Sequence, residues 1–218
     1  MKWVFVGVLH CAFLLAPAAA ADKPTKAPDT KVHSWNGWYL GANLGGAWAN
    51  LNATASGFGL TASASERLDG VIVGIQSGYD WQFGPWVLGL DSDIQWSGQS
   101  GAMTLFGTAY SDRIEWFTTS RIRFGYALDR WLWYVSAGMS WGPFRSRATT
   151  AGVTTTTTTY QSAWVFGSGA EFVLTGHWTG RIEHLYLDTG DITDTAGGIT
   201  ATGRMKTNIV RAGVNYRF

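Results

Sequence analysis

The sequence predicts an all-β protein, an eight-stranded antiparallel up-and-down transmembrane β-barrel. Three observations predict it. A secretory leader is followed by no apolar run long enough for a membrane helix. Eight segments alternate apolar residues with small or polar ones, the period of strands with two unlike faces. Aromatic residues stand at both ends of one of those faces.

Residues 1–20, MKWVFVGVLHCAFLLAPAAA, carry one charge, Lys2, ahead of an apolar run closed by small residues. That is the layout of a signal peptide, with cleavage expected near Ala20 or Ala21. A membrane helix needs roughly 20 apolar residues, and His10 and Pro17 interrupt this run. The only cysteine, Cys11, lies within the leader, so the exported chain is expected to have no disulfide and no thiolate chemistry. Residues 21–37 form a polar lead-in, DKPTKAPDTKVHS in its greater part, with two prolines and no periodicity, read as a flexible periplasmic segment. Residues 38–218 are the expected barrel domain.

Composition excludes several classes. Charged residues are 14% of the chain, against about 25% in soluble domains, while the chain has 13 Trp and 28 Gly. The formal net charge of +1 leaves no basic surface for nucleic acid.

The expected strands are 38–51, 70–82, 86–97, 112–126, 131–141, 160–174, 177–188 and 204–218. Tight turns at 83–84, 127–130 and 175–176 alternate with four long connections rich in Gly, Ser, Thr and Ala. Outer-membrane barrels are built with short periplasmic turns and long outer loops. On one face of the strands, Trp38 pairs with Trp48, Trp86 with Trp96, Trp116 with Phe124, Trp133 with Trp141, Trp164 with Phe172, and Trp178 with Tyr186. Each separation is even, so both members share a face. Eight to ten residues of a tilted strand rise roughly 20–25 Å, the height of the apolar band. Tyr79, Trp81, Tyr216 and Phe218 extend the lower girdle. A soluble β-sandwich would place its bulk mid-strand; here the middle is Leu40, Ala42 and Leu44, or Val135, Ala137 and Met139.

The opposite face carries Asp91, Asp93, Glu115, Arg121, Arg123, Glu171, Arg181, Glu183, Arg211 and Arg217, five acids and five arginines, with glycines beside them. An eight-stranded barrel is just wide enough to be filled by side chains, and buried charges are tolerated only when paired. The balance of sign points to a salt-bridged plug. A second reading is a narrow ion path threading between the charges.

Five stretches carry a resemblance: SWNGWYLGANLGGAW at the first strand, GVIVGIQSGYDWQ at 70–82, TSRIRFGYALDRWLWYVSAG at 119–138, RIEHLYLDTGD at 181–191 and NIVRAGVNYRF at 208–218. They resemble the small alphaproteobacterial outer-membrane barrels of the surface-antigen type, also called porin-family or OmpA-like β-barrel proteins. The resemblance spans essentially all of the chain after the leader. It implies an abundant integral protein of the Gram-negative outer membrane, in contact with its lipid and lipopolysaccharide, of a kind sometimes described as adhesive or haem-binding, without catalysis. It implies that Tyr216 and Phe218 match the signal read by the barrel-assembly machinery. His184 departs from the family, which commonly has Tyr there.

Other chemistry finds little support in the residues. A lipid hydrolase needs Ser, His and an acid together at the outer end; His33 is in the lead-in, His177 is beside a periplasmic turn, and His184 faces outward with Ser162 expected nearby. No cofactor or metal is expected. The long connections lack His, and Asp188, Asp191 and Asp194 match no calcium-loop spacing. The run Thr154 to Thr159 reads as a polar spacer of high β-propensity, or as an adhesive surface. Two functions remain: a structural surface barrel that anchors and stabilises the envelope, or a small channel or surface receptor, for instance for haem, that meets its ligand through the long loops.

Overall fold

The computed structural model describes residues 33–105, 108–196 and 198–218. The leader expected over 1–20, and the lead-in before residue 33, lie outside the described residues. The strands are β1 (Gly37–Gly57), β2 (Leu60–Phe83), β3 (Trp86–Leu105), β4 (Thr108–Leu128), β5 (Trp131–Thr150), β6 (Val153–Thr175), β7 (Trp178–Asp188), β8 (Ile192–Ala196) and β9 (Ile199–Arg217). Eight of them follow one another in a ring, β1 through β7 and then β9, and β9 pairs with β1 to close it. The short β8 adds only to the outer stretch of β9, from Ile192↔Gly203 to Ala196↔Ile199. Every pairing is antiparallel.

The three tight turns fall where expected, with Gly84, Asp129 and Gly176 at positive φ. The long connections do not remain loops. β1 and β2 stay paired out to Gly57↔Leu60, and β5 and β6 out to Thr150↔Val153. Phe58-Gly59 and Ala151-Gly152 make the turns, with both residues of each at positive φ. That is the backbone of a two-residue hairpin turn whose twist matches the flanking strands. Thr154 to Thr159 therefore lie in β6, opposite residues 144–149 of β5. Their branched side chains suit an extended, paired backbone.

Alternation places even-numbered residues of β1 outward and odd-numbered ones inward, from Trp38 and Tyr39 to Trp48 and Ala49. The register shifts at three places, between Trp96 and Gln99 in β3, between Ile114 and Thr118 in β4 and between Val173 and Thr175 in β6, and in β4 the alternation changes phase. An extra residue shifts which side chains face in. Asp112 and Ile114 point to the interior, as do Phe117 and Thr119.

The interior is stacked in three tiers. At the periplasmic end Trp35, Val87, Leu132 and Tyr134 pack together. A charged tier fills the middle. At the outer end Ala47, Ile72, Ile114, Phe117, Ala163, Val165, Leu185, Leu187 and Ile209 form an apolar tier, with Phe144 and Met205 against it.

Candidate functional site

The charged middle tier is the most concentrated chemistry in the molecule. Its residues arrive from β2, β3, β4, β6, β7 and β9 at inward positions, and glycines make room for them. A Cβ on Gly89 would overlap Asp80 Oδ1 and crowd Arg123, and one on Gly78 would overlap the Tyr39 hydroxyl.

At its lower end Arg123 Nε donates to Asp80 Oδ1 at 2.7 Å and Nη1 to Glu171 Oε2 at 3.1 Å; Nη2 also pairs with Asp80. Arg217 bonds Asp80 Oδ2 at 2.6 Å and Glu171 Oε1 at 3.1 Å. Glu171 also accepts from Arg181 Nη2 at 3.0 Å, from the Thr179 hydroxyl at 2.6 Å and from Asn215 at 3.1 Å. Arg181 joins the two halves through Asp91, 3.2 Å away. Above it Arg121 reaches Asp91, Asp93 and Glu183 at 3.3, 3.0 and 3.0 Å. Arg211 closes the tier on Asp93 at 2.8 Å and Glu183 at 2.6 Å. Tyr39 donates to Asp91, and Tyr134 to Glu183. The guanidinium groups of Arg123 and Arg181 lie over both tyrosine rings, 4.9 to 5.5 Å from the centroids.

The tier thus holds five carboxylates and five guanidinium groups, and no side chain among them is more than 5% exposed. Two corrections to the sequence reading fix this membership. Glu115 does not enter the tier. The irregularity between Ile114 and Thr118 turns it outward, where it pairs with Arg145 at 2.6 Å in a bridge more than a third exposed on each side. Asp80 takes its place. Its even position in β2, shared with the inward Gly74 and Gly78, is the sequence feature that marks it. The other nine expected charges are all in the tier.

The tier is capped below by the end of the lead-in, which is docked rather than free. Trp35 is fully buried. Its backbone N–H donates to Gln82 Oε1 at 2.7 Å, its backbone carbonyl accepts from Arg217, and the Arg217 guanidinium sits 5.2 Å above its ring.

Outside the ring, Trp38, Trp48, Trp81, Trp86, Trp96, Trp133, Trp141, Trp164 and Trp178 are exposed on the outward face, and Trp116 is half-buried there against Trp141. The lower girdle forms packed groups: Trp38–Tyr79–Trp81, Trp86 with Phe124 and Tyr126, Trp133–Trp131–Phe172, and Trp178–Tyr216–Phe218. The upper one includes Trp116–Trp141–Tyr160, at 5.6 and 4.8 Å between ring centroids.

The remaining polar candidates do not assemble a catalytic or metal centre. His184 bonds Asn208 at 3.2 Å and stands across from Ser168, while Ser162 lies across from Trp141. His177 bonds the Arg217 carbonyl. Arg204 grips Asp188 with two bonds of 2.9 and 2.7 Å and lies 3.7 Å from Asp191. It holds the Asp188 carboxyl well below the usual carboxylate range. Among the described residues no group of three or more His, Cys, Asp or Glu is placed to hold a metal. Beyond the upper girdle, Glu66 and Asp112 face one another inside the barrel with Gly101 between their strands, and neither has an ion-pair partner among the described residues. Burial and the facing charge of Asp112 push the Glu66 carboxyl up to about 7.

A closed ring of strands, apolar and aromatic-banded outside and charge-paired inside, defines a transmembrane β-barrel of the outer-membrane kind. The sequence model of the outer membrane protein beta-barrel domain matches residues 8–218, and the chain belongs to that family. It is 30% identical over 243 residues to a 31 kDa outer-membrane immunogenic protein of Brucella melitensis, with all of both chains covered. It is 26% identical to a 22 kDa outer membrane protein of Rhizobium leguminosarum, over 86% of each chain. Among solved structures, the outer membrane protease OmpT of Escherichia coli superposes with a TM-score of 0.54 at 10% identity, covering 87% of this chain and 100% of that one; this is a likeness of fold alone. The protein is an outer-membrane protein of a Gram-negative bacterium.

Proposed function

We propose that the protein is a structural, surface-exposed barrel that anchors in the outer membrane, strengthens the envelope, does not conduct ions and is not an enzyme. The observation that carries this reading is the middle tier. Its ten charges neutralise one another inside the barrel, with no side chain more than 5% exposed. An ion entering would have to displace a guanidinium or carboxylate from several partners at once, with low-dielectric walls around it. The apolar tier above and Trp35 below add two further barriers.

The hairpins beyond the upper girdle are the part of the barrel suited to display at the cell surface. The word "immunogenic" in the Brucella relative's name accords with such display. Tyr216 and Phe218, packed edge to face at 5.2 Å on the lower girdle, are the residues proposed to be read by the assembly machinery during insertion.

The test is conductance. Protein extracted from outer membranes and added to planar bilayers is expected to insert without sustained current at any polarity. Steady single-channel steps would overturn the plugged reading in favour of a small channel.

A further inference from the structure

Past the upper girdle, the outward face of the barrel has an uneven distribution of charge. On β2, Arg67 is bonded to Asp69 at 2.9 Å. Near β9, Arg204 is held by Asp188 and Asp191, and Lys206 stands across from Asp188. On β4 and β5 the balance fails. Arg113, Arg145 and Arg147 share this face with a single acid, Glu115, which bonds Arg145. The irregularity in β4 that turned Glu115 out of the lumen also sets Arg113 directly across from Arg145, with Arg147 two residues further on, across from Ser111.

Like charges directly opposite one another on paired strands repel. Arg113 and Arg147 are exposed, and among the described residues neither has an ion pair or a side-chain hydrogen bond. An arrangement of that kind is stable where an anion is supplied from outside. Its height says which anion. Trp116 of β4 and Trp141 of β5 pack edge to face, Tyr160 of the adjoining β6 stacks on Trp141, and together they mark the edge of the hydrocarbon. Arg113 is three residues beyond Trp116, and Arg145 four beyond Trp141. At about 3.3 Å per residue along a tilted strand this is roughly 8–10 Å above the rings. The headgroup layer is roughly 5–8 Å deep on each side of a bilayer, and an arginine side chain spans the difference. The guanidinium groups of Arg113 and Arg145 therefore face headgroups rather than open solvent, and Arg147, roughly 5 Å further out, stands at the outer edge of that layer.

We propose that Arg113, Arg145 and Arg147 form a docking surface for the phosphates of an outer-leaflet glycolipid, the lipopolysaccharide anchor, with Trp141 and Tyr160 against its acyl chains. Planar guanidinium groups bind phosphate through paired hydrogen bonds and keep their charge at any physiological pH. The site rests on the proposed anchoring role and names the lipid chemistry through which it acts.

The test uses full-length protein extracted in mild detergent and placed in nanodiscs of phosphatidylcholine doped with labelled lipid A, either bisphosphorylated or stripped of phosphate. Wild type is expected to retain the phosphorylated lipid about tenfold more than the stripped one. Arg113→Gln with Arg147→Gln is expected to lose that preference, whereas Arg67→Gln with Arg204→Gln, which removes equal charge from paired sites, keeps it. Heat-modifiable migration reports folding of each variant, and Arg113→Lys with Arg147→Lys restores partial retention if charge at this place is what matters. Equal retention of the two lipids by wild type overturns the proposal, as does full retention by the double Gln variant. Displacement of the lipid by inorganic phosphate alone does so too, because it marks a free-anion site. Ion current through the same discs fused to a bilayer would overturn the plugged reading and leave the lipid result standing.

Discussion

Arg123 has no route to water. Its guanidinium is bonded to Asp80 and Glu171 and lies between the rings of Tyr39 and Tyr134. Arg123→Ala leaves five carboxylates to four guanidinium groups in a low-dielectric tier, with Asp80 and Glu171 each losing one arginine, and an uncompensated buried charge costs about 3–5 kcal/mol. Urea unfolding followed by heat-modifiable migration is expected to register a loss of that size; a loss below about 1 kcal/mol, as at solvated pairs, would mean a wet lumen. Glu66 calls for the opposite experiment, in pH. Its carboxyl is raised from 4.5 to about 7 in the folded barrel, so the folded state holds a proton that the unfolded chain has already released. Its contribution to stability is full below the unfolded value, falls as pH rises through 4.5 toward 7, and is flat beyond. Wild type should therefore unfold at lower urea at about pH 8 than at about pH 5, and Glu66→Gln should remove most of that difference. An unchanged difference in the variant assigns the effect to other groups.

At the scale of the strand, each β-segment meets three solvents in turn. β5 begins at Trp131 and Trp133 in the lower girdle, crosses the hydrocarbon with Val135, Ala137 and Met139 outward, and passes Trp141 into the headgroup layer and then water. Ala137→Arg places a charge on lipid near the midplane and is expected to cost about 2–4 kcal/mol, while Thr155→Arg, on the exposed outer part of β6, is expected to cost close to nothing. Equal unfolding free energies for the two variants would contradict this depth assignment. The outer parts of β1, β2, β5 and β6 show why strand ends were harder to read than strand centres. In water both faces of a hairpin are wet, so Thr, Ser and Ala occupy both, and the apolar alternation that identifies a strand disappears although the backbone stays paired.

At the scale of the molecule, the proposed plug consists of three layers in series. Trp35 lies at the periplasmic end, ten charges in the middle, and branched and aromatic side chains at the outer end. The first of these depends on a segment before the first strand folding back on the mouth. The last depends on β4 changing phase so that Ile114 and Phe117 both point inward. The same change of phase puts Arg113 on the outward face, across from Arg145 of the regular β5. A local irregularity therefore alters the lumen and the lipid-facing surface together, because in a strand a shift of one residue exchanges the two faces.

The order of the strands, their direction and the identity of the lipid-facing side were legible in the sequence. The bilayer and the lumen are unlike solvents, and a strand with period two records both in alternate residues. Nine of the ten charges of the middle tier were marked in the same way, as inward positions in regular strands. What only the tertiary structure decided was whatever breaks that period or joins distant elements: the irregularity that turned Glu115 out of the lumen, the docking of Trp35 on Gln82 and Arg217, and the choice of partners within the tier. Alternation carries no information about an inserted residue until its neighbours fix the register. Nor does it say which of five carboxylates a guanidinium will meet, since that is set by the closure of the ring.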